Sequence, residues 1–295
     1  MKRLIFTGSA VALITPMHQD GTVDFAELKK LTEFHVESGT DAIVVCGTTG
    51  ESATLEDDEH LECIRVVVET VNGRIPVIAG TGSNNTAHAI MMSKQAAEIG
   101  ADALLLVTPY YNKTSQEGLV ESFNTIVNAA GIPTILYNVP SRTGVNIQPE
   151  TAKELAKNPL ICGIKEASGN ISQVAQIAAL CGDDLPIYSG NDDQVVPMLS
   201  LGAKGVISVV ANVAPAQMHQ MCQLWFDGKV TDSCQLQLDL LELCSAMFCD
   251  VNPIPVKAAM NMLGWEAGEC RLPLVCPSEA NLDKIKMALT AAELI

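Results

Sequence analysis

The 295-residue sequence is short of charge, and of positive charge most of all. Charged residues make up 18% of it, against about 25% in an average soluble chain. Its 18 basic residues are outnumbered by 34 acidic ones, for a net charge of −16. Nothing basic is massed to neutralise phosphates, which argues against nucleic acid and anionic membrane as partners. No run of about 18 apolar residues occurs, so no membrane span is expected. The start, Met1-Lys2-Arg3-Leu4-Ile5-Phe6, is basic, but Gly8, Thr15 and Pro16 interrupt it before a leader core can form. A cytoplasmic location is the expectation. There are ten cysteines but no Cys-x-x-Cys and no Cys/His pairing at zinc spacing. Cys46 and Cys162 sit in apolar runs, so the thiols read as buried and unpaired in a reducing compartment. The five histidines (His18, His35, His60, His88 and His219) show no ligand spacing, and no metal is expected. A Gly-x-Ser-x-Gly elbow for Ser-His-Asp hydrolysis is missing. Gly80-Thr81-Gly82-Ser83-Asn84-Asn85 fails the dinucleotide fingerprint at its third Gly.

What is present is a chain with 48% hydrophobic residues, long enough to bury a large core. Low charge on such a chain suggests that part of its surface is buried against other subunits. Short apolar runs at 8–14, 41–46, 76–79, 102–107, 133–137, 161–165, 186–189 and 205–209 alternate with stretches of helical spacing, such as Phe25, Leu28, Leu31, Thr32 and His35. That is the signature of βαβ units on a parallel sheet. Eight units in about 210 residues match a (β/α)8 barrel. A weak repeat supports it. Strands 3, 5 and 7 enter through Pro76, Pro133 and Pro186, whereas strands 2, 4 and 8 enter through a helix-ending Gly39, Gly100 and Gly202. Odd–even alternation is what a layered barrel interior produces. Beyond residue 210 the segments 215–227, 231–249, 253–263 and 279–293 all read as helices. The expected organisation is a barrel over 1–224 carrying the site and a C-terminal helical region over 225–295.

Barrels place function at the C-terminal ends of their strands. Lys165 closes the run Leu160-Ile161-Cys162-Gly163-Ile164, and alternation from an inward Gly163 points it into the barrel. A desolvated amine has a lowered pKa and attacks carbonyls to form a Schiff base. The plainer alternative is a strand-end Lys paired with Glu166 or Asp192. Three of the four tyrosines, Tyr110, Tyr111 and Tyr137, close strands 4 and 5, where a phenol can relay protons. Thr48 and Thr49 after strand 2 could orient that phenol or hold a carboxylate. Arg142, one of five arginines, offers a fork of donors suited to a carboxylate substrate, or else bridges to a surface acid. The acidic run Glu56-Asp57-Asp58-Glu59 reads as a helix N-terminus.

These residues fall in long motifs: Gly47-Thr48-Thr49-Gly50-Glu51-Ser52-Ala53-Thr54-Leu55, Val107-Thr108-Pro109-Tyr110-Tyr111-Asn112, Leu136-Tyr137-Asn138-Val139-Pro140-Ser141-Arg142-Thr143-Gly144, Gly163-Ile164-Lys165-Glu166-Ala167-Ser168-Gly169 and Asn252-Pro253-Ile254-Pro255-Val256-Lys257. With them the whole chain resembles the dihydrodipicolinate synthase family of pyruvate-dependent class I aldolases. The resemblance implies condensation of pyruvate with aspartate 4-semialdehyde through a lysine imine, with no cofactor. Lys165 would form the imine. Tyr137 would shuttle protons, with Thr48 and a Tyr111 supplied by a neighbouring subunit completing a relay. Thr49 would hold the pyruvate carboxylate, Gly190 and Ile207 would line the pocket, and Arg142 would bind the semialdehyde's carboxylate. A homotetramer is implied. Sugar-acid lyases of the N-acetylneuraminate type share the Lys, the Tyr and the Gly-rich motif, but lack Arg142 in its Ser-Arg-Thr-Gly setting. A non-catalytic homologue would need to have lost Lys165 or Tyr137. Many family members are inhibited by lysine at a subunit interface, where the matching positions are Ser52, Ala53, Asp57, His60, Asn84, His88 and Tyr110. His88 stands where an acid is usual and Asp57 where a His is usual, which implies weaker lysine inhibition, or none.

Overall fold

The computed structural model describes residues 2–295. Eight parallel strands close into a barrel in chain order: β1 (Gly8–Ala12), β2 (Ala42–Val45), β3 (Val77–Gly80), β4 (Ala103–Val107), β5 (Thr134–Asn138), β6 (Ile161–Glu166), β7 (Ile187–Ser189) and β8 (Gly205–Ser208), with β8 pairing back onto β1. Helices α1 (Phe25–Glu37), α2 (Asp57–Val71), α3 (Thr86–Ile99) and α4 (Gln116–Ala130) follow the first four strands. The short α5 (Pro140–Thr143) and α6 (Pro149–Leu155) follow β5. They are succeeded by α7 (Ile171–Cys181), α8 (Val195–Leu199) and α9 (Pro215–Phe226), one after each remaining strand.

The strands are apolar because both of their faces are covered. Ala10, Ala12, Ala42, Val44, Ile78, Ala103, Leu105 and Ile135 point inward with Tyr137, Tyr188 and Ile207. Alternate residues such as Val11, Ile43, Val45, Leu104 and Leu136 pack outward under the helices. Small inward residues make room for two tyrosines. Tyr188 seals the lower end by stacking on Phe6 at 4.3 Å and donating to its carbonyl at 2.8 Å. The seam is tight: a Cβ on Gly205, at φ +149°, would lie 1.8 Å from the Gly8 carbonyl oxygen, so only glycine fits.

Helix starts follow local chemistry. Asp24, Asn85, Ser115 and Asn170 cap α1, α3, α4 and α7 through side-chain oxygens, and Glu56 forms a capping box with Glu59 at α2. Gly39, Gly100 and Gly202 all adopt the positive φ expected of helix-ending glycines.

The C-terminal region differs from its sequence reading in one place. The stretch 231–249 is two helices, α10 (Val230–Asp239) and α11 (Leu241–Met247), parted at the buried Leu240. α10 packs on α9, while α11 turns to meet α12 (Ile254–Met262) and α13 (Glu279–Ala291), so no straight helix serves both surfaces. All ten cysteines are free, and six are buried, but Cys276 is exposed. No helix among the described residues is long and apolar enough to cross a membrane.

Candidate active site

β6 delivers the amine. Gly163 and Lys165 share its inner face, where a Cβ on Gly163 would lie 3.1 Å from the Tyr188 ring. The β5–β6 register sets Tyr137 beside Lys165. Lys165 Nζ lies 4.4 Å from the centre of the Tyr137 ring, and the two side chains are 5% and 8% exposed. Burial pulls the ammonium down to about 8, opposed by the Asp192 carboxylate and reinforced by the Arg142 charge. At pH 7 about one amine in ten is then neutral, against about one in three thousand at the ordinary value.

The paired-lysine alternative is not what the structure holds. Glu166 accepts from Ser168 N at 2.7 Å, Asn138 Nδ2 at 2.9 Å and Gln173 Nε2 at 3.2 Å. Asp192 Oδ2 accepts the backbone N–H groups of Val209 and Val210 at 3.0 and 3.2 Å. Glu166 is thus engaged elsewhere, whereas Asp192 Oδ1 is buried without a hydrogen-bond partner and acts on Lys165 through its charge alone. Gly190 packs closely against this group, since a Cβ there would lie 2.6 Å from the Ala167 methyl and 3.1 Å from Lys165 Cε. Ile207 is fully buried in the interior cluster.

Tyr137 keeps its proton. Burial raises the phenol, and the Arg142 charge and the Thr48 hydroxyl offset only part of that. A protonated phenol against a partly neutral amine is a donor beside a nucleophile. Thr49, buried in the same β2 loop, accepts from Asn252 Nδ2 at 3.0 Å. Arg142, exposed on α5, donates from Nη2 to the Asn252 carbonyl at 3.2 Å.

Three residues without a role in the sequence reading secure this loop. Glu51 sits in a left-handed conformation, φ +55°. Its buried carboxylate meets Lys257 Nζ at 2.9 Å and accepts from Arg271 N at 2.9 Å. Lys257 also donates to the Glu269 carbonyl at 2.8 Å. The C-terminal region is therefore wired to the loop bearing Thr48 and Thr49. The available signal was the Asn252–Lys257 motif, which holds Asn252 and Lys257 together.

Tyr111 is not gathered in. It is 92% exposed on the loop after β4, with φ +71°. The remaining sequence-identified positions form a second group on the loops after β2, β3 and β4 and on the first turns of α2 and α3. His88 Nε2 meets Asp57 Oδ1 at 2.8 Å. His60 is buried, its ring nitrogen 2.8 Å from the Gly80 carbonyl, and burial lowers its pKa. Asn84 donates to the Tyr110 carbonyl at 3.2 Å. Ser52 and Ala53 lie on the short 3-10 turn before α2. No group of three or more His, Cys, Asp or Glu able to hold a metal occurs among the described residues.

Residues 5–292 match the model of the dihydrodipicolinate synthetase family. The chain is 59% identical over 285 residues to the 4-hydroxy-tetrahydrodipicolinate synthase of Caldicellulosiruptor saccharolyticus, covering 97% of this chain and 96% of that one. It superposes with TM-score 0.97 and 43% identity on a chloride-inhibited dihydrodipicolinate synthase from Acinetobacter baumannii complexed with pyruvate, over 99% of this chain and all of that one. A lysine-bound enzyme from Cyanidioschyzon merolae gives TM-score 0.97 at 41% identity, over 99% of this chain and 100% of that one.

Proposed function

The chain belongs to the dihydrodipicolinate synthetase family, and from that premise we propose how its barrel mouth performs the family's reaction. The reaction is the condensation of pyruvate with L-aspartate 4-semialdehyde to 4-hydroxy-tetrahydrodipicolinate, with loss of water. Neutral Lys165 attacks the C2 carbonyl of pyruvate. Tyr137 protonates the departing hydroxyl, and water leaves to give the imine. The phenolate then takes a proton from the pyruvate methyl, forming the enamine. Its carbon attacks the aldehyde, whose oxygen is protonated in turn. Finally the semialdehyde's amino group adds to the imine carbon, closes the ring and expels the Lys165 amine.

Thr49 and the Thr48 backbone hold the pyruvate carboxylate, and Arg142 holds that of the semialdehyde through its planar fork of donors. Thr48 passes protons between Tyr137 and the mouth. Tyr111, held outward and almost fully exposed, completes that relay in a neighbouring subunit, which makes the working unit at least a dimer; assembly into a homotetramer is consistent with the low fraction of charged residues in the chain. The imine nitrogen is the electron sink, so the steps call on the protein's own residues. Ten unpaired thiols suit the reducing cytoplasm.

The observation that carries this reading is the buried, unpaired Lys165 against the Tyr137 ring. Borohydride with pyruvate should trap one adduct per chain on the peptide containing Lys165, and Lys165→Ala should take up none. An adduct on Lys113 or Lys204 instead refutes the assignment.

A further inference from the structure

The segment that leads into α12 touches both carboxylate-binding groups through one residue. Asn252 is buried. Its backbone carbonyl accepts from Arg142 Nη2 at 3.2 Å, and its side-chain amide donates to Thr49 Oγ1 at 3.0 Å. Its own Oδ1 is buried with no partner. A hydroxyl has a single proton to give. With its oxygen accepting from Asn252, and with no acceptor for its proton among the described residues, Thr49 presents that proton to the mouth. The contact is held in place from both sides, because Glu51 lies two residues after Thr49, Lys257 lies five after Asn252, and the two form the buried 2.9 Å ion pair.

We propose that Asn252 is a positioning residue that fixes the Thr49 hydroxyl as a donor toward the pyruvate carboxylate while its backbone sets the place of Arg142. The proposal rests on the reading that Thr49 holds that carboxylate. It separates the two substrates: the side chain acts on pyruvate alone, because the contact to Arg142 comes from a main-chain carbonyl that side-chain replacement leaves in place.

Asn252→Asp is the sharpest test. It is nearly isosteric, but it turns the donor into an acceptor that captures the Thr49 proton. Losing a hydrogen bond to a charged group should raise the pyruvate KM about 10- to 100-fold. The semialdehyde KM and kcat should stay within about threefold. Asn252→Leu, uncharged and of similar size, should raise the pyruvate KM less. In a Thr49→Val background Asn252→Leu should add nothing, since both changes then act on the same missing bond. Trapping of Lys165 at saturating pyruvate verifies that each variant is folded. An unchanged pyruvate KM in Asn252→Asp, with Thr49→Val raising it, overturns the positioning role, because Asn252 must then be accepting from Thr49. An equal rise from Asn252→Leu with and without the Thr49 hydroxyl overturns it too, by showing a general structural effect. An unchanged pyruvate KM in Thr49→Val overturns the underlying reading of Thr49 instead.

Discussion

Replacing Lys165 with methionine should make the protein more stable while abolishing its chemistry. The folded amine is held at about 8 against 10.5 for the exposed group, chiefly by burial. That difference corresponds to about 3 kcal/mol of preference for the neutral form. The sign follows from proton uptake. Below pH 8 both folded and unfolded chains carry the proton, and the folded state bears the whole cost. Between about 8 and 10.5 the unfolded chain binds more protons, so the parent gains stability as pH rises, until the cost is gone. Methionine has similar volume and no charge. Lys165→Met should therefore exceed the parent by about 3 kcal/mol at pH 7 in urea unfolding, with the gap narrowing steadily toward pH 10. Protein concentration must be matched, because association adds to apparent stability. A variant no more stable than the parent at pH 7, or a gap constant from pH 7 to 10, refutes desolvation as the source of the lysine's reactivity.

Arg142→Ala should spare imine trapping with pyruvate yet weaken use of the semialdehyde about 30- to 1,000-fold, the effect of removing a charged partner from a bound carboxylate; loss of trapping with semialdehyde affinity kept would reverse the roles. Glu51→Gln should cost about 3–5 kcal/mol in urea unfolding by leaving Lys257 charged and buried, and adding Lys257→Met should recover at least half of it; no recovery would refute the broken ion pair as the source of that cost. Lysine should inhibit initial rates weakly or not at all at saturating pyruvate. His88 pairs with Asp57 where a ligand's ammonium would need an acid, so His88→Glu should strengthen inhibition. Tight inhibition of the parent, unchanged or weakened by that substitution, would contradict that pairing's role.

The barrel is legible in the sequence because each strand is buried on both faces and punctuated. Pro76, Pro133 and Pro186 stand just before β3, β5 and β7, and glycines end the helices that lead to β2, β4 and β8. Lys165 is legible for a related reason: an ammonium that closes an apolar strand is costly to bury and seldom sits there for packing alone. The short α5, inside the motif at 136–144, and α6 are hidden by their own brevity, too short for a helical period to register. The break at Leu240 is invisible because no Gly or Pro marks it. The Glu51–Lys257 pair and the Asn252–Thr49 contact join residues 206 and 203 positions apart, and no local pattern announces such a meeting. His88 with Asp57 is similar: each position stands out alone, but their 2.8 Å contact depends on how α2 and α3 pack.

The glycine seam between β1 and β8 has a consequence for how the protein is made. β1 cannot find its second neighbour until Gly205 exists, 197 positions later. At about 5–20 residues per second that is roughly 10–40 s during which a nascent chain carries an open strand edge. Even then the mouth is unfinished, for Asn252, Lys257 and Arg271 have still to emerge. A chain stalled or cut after β8 would present a closed barrel with an unsecured Thr49 loop. Ribosome-arrested chains of increasing length should accordingly acquire protease resistance before they acquire pyruvate trapping at low substrate.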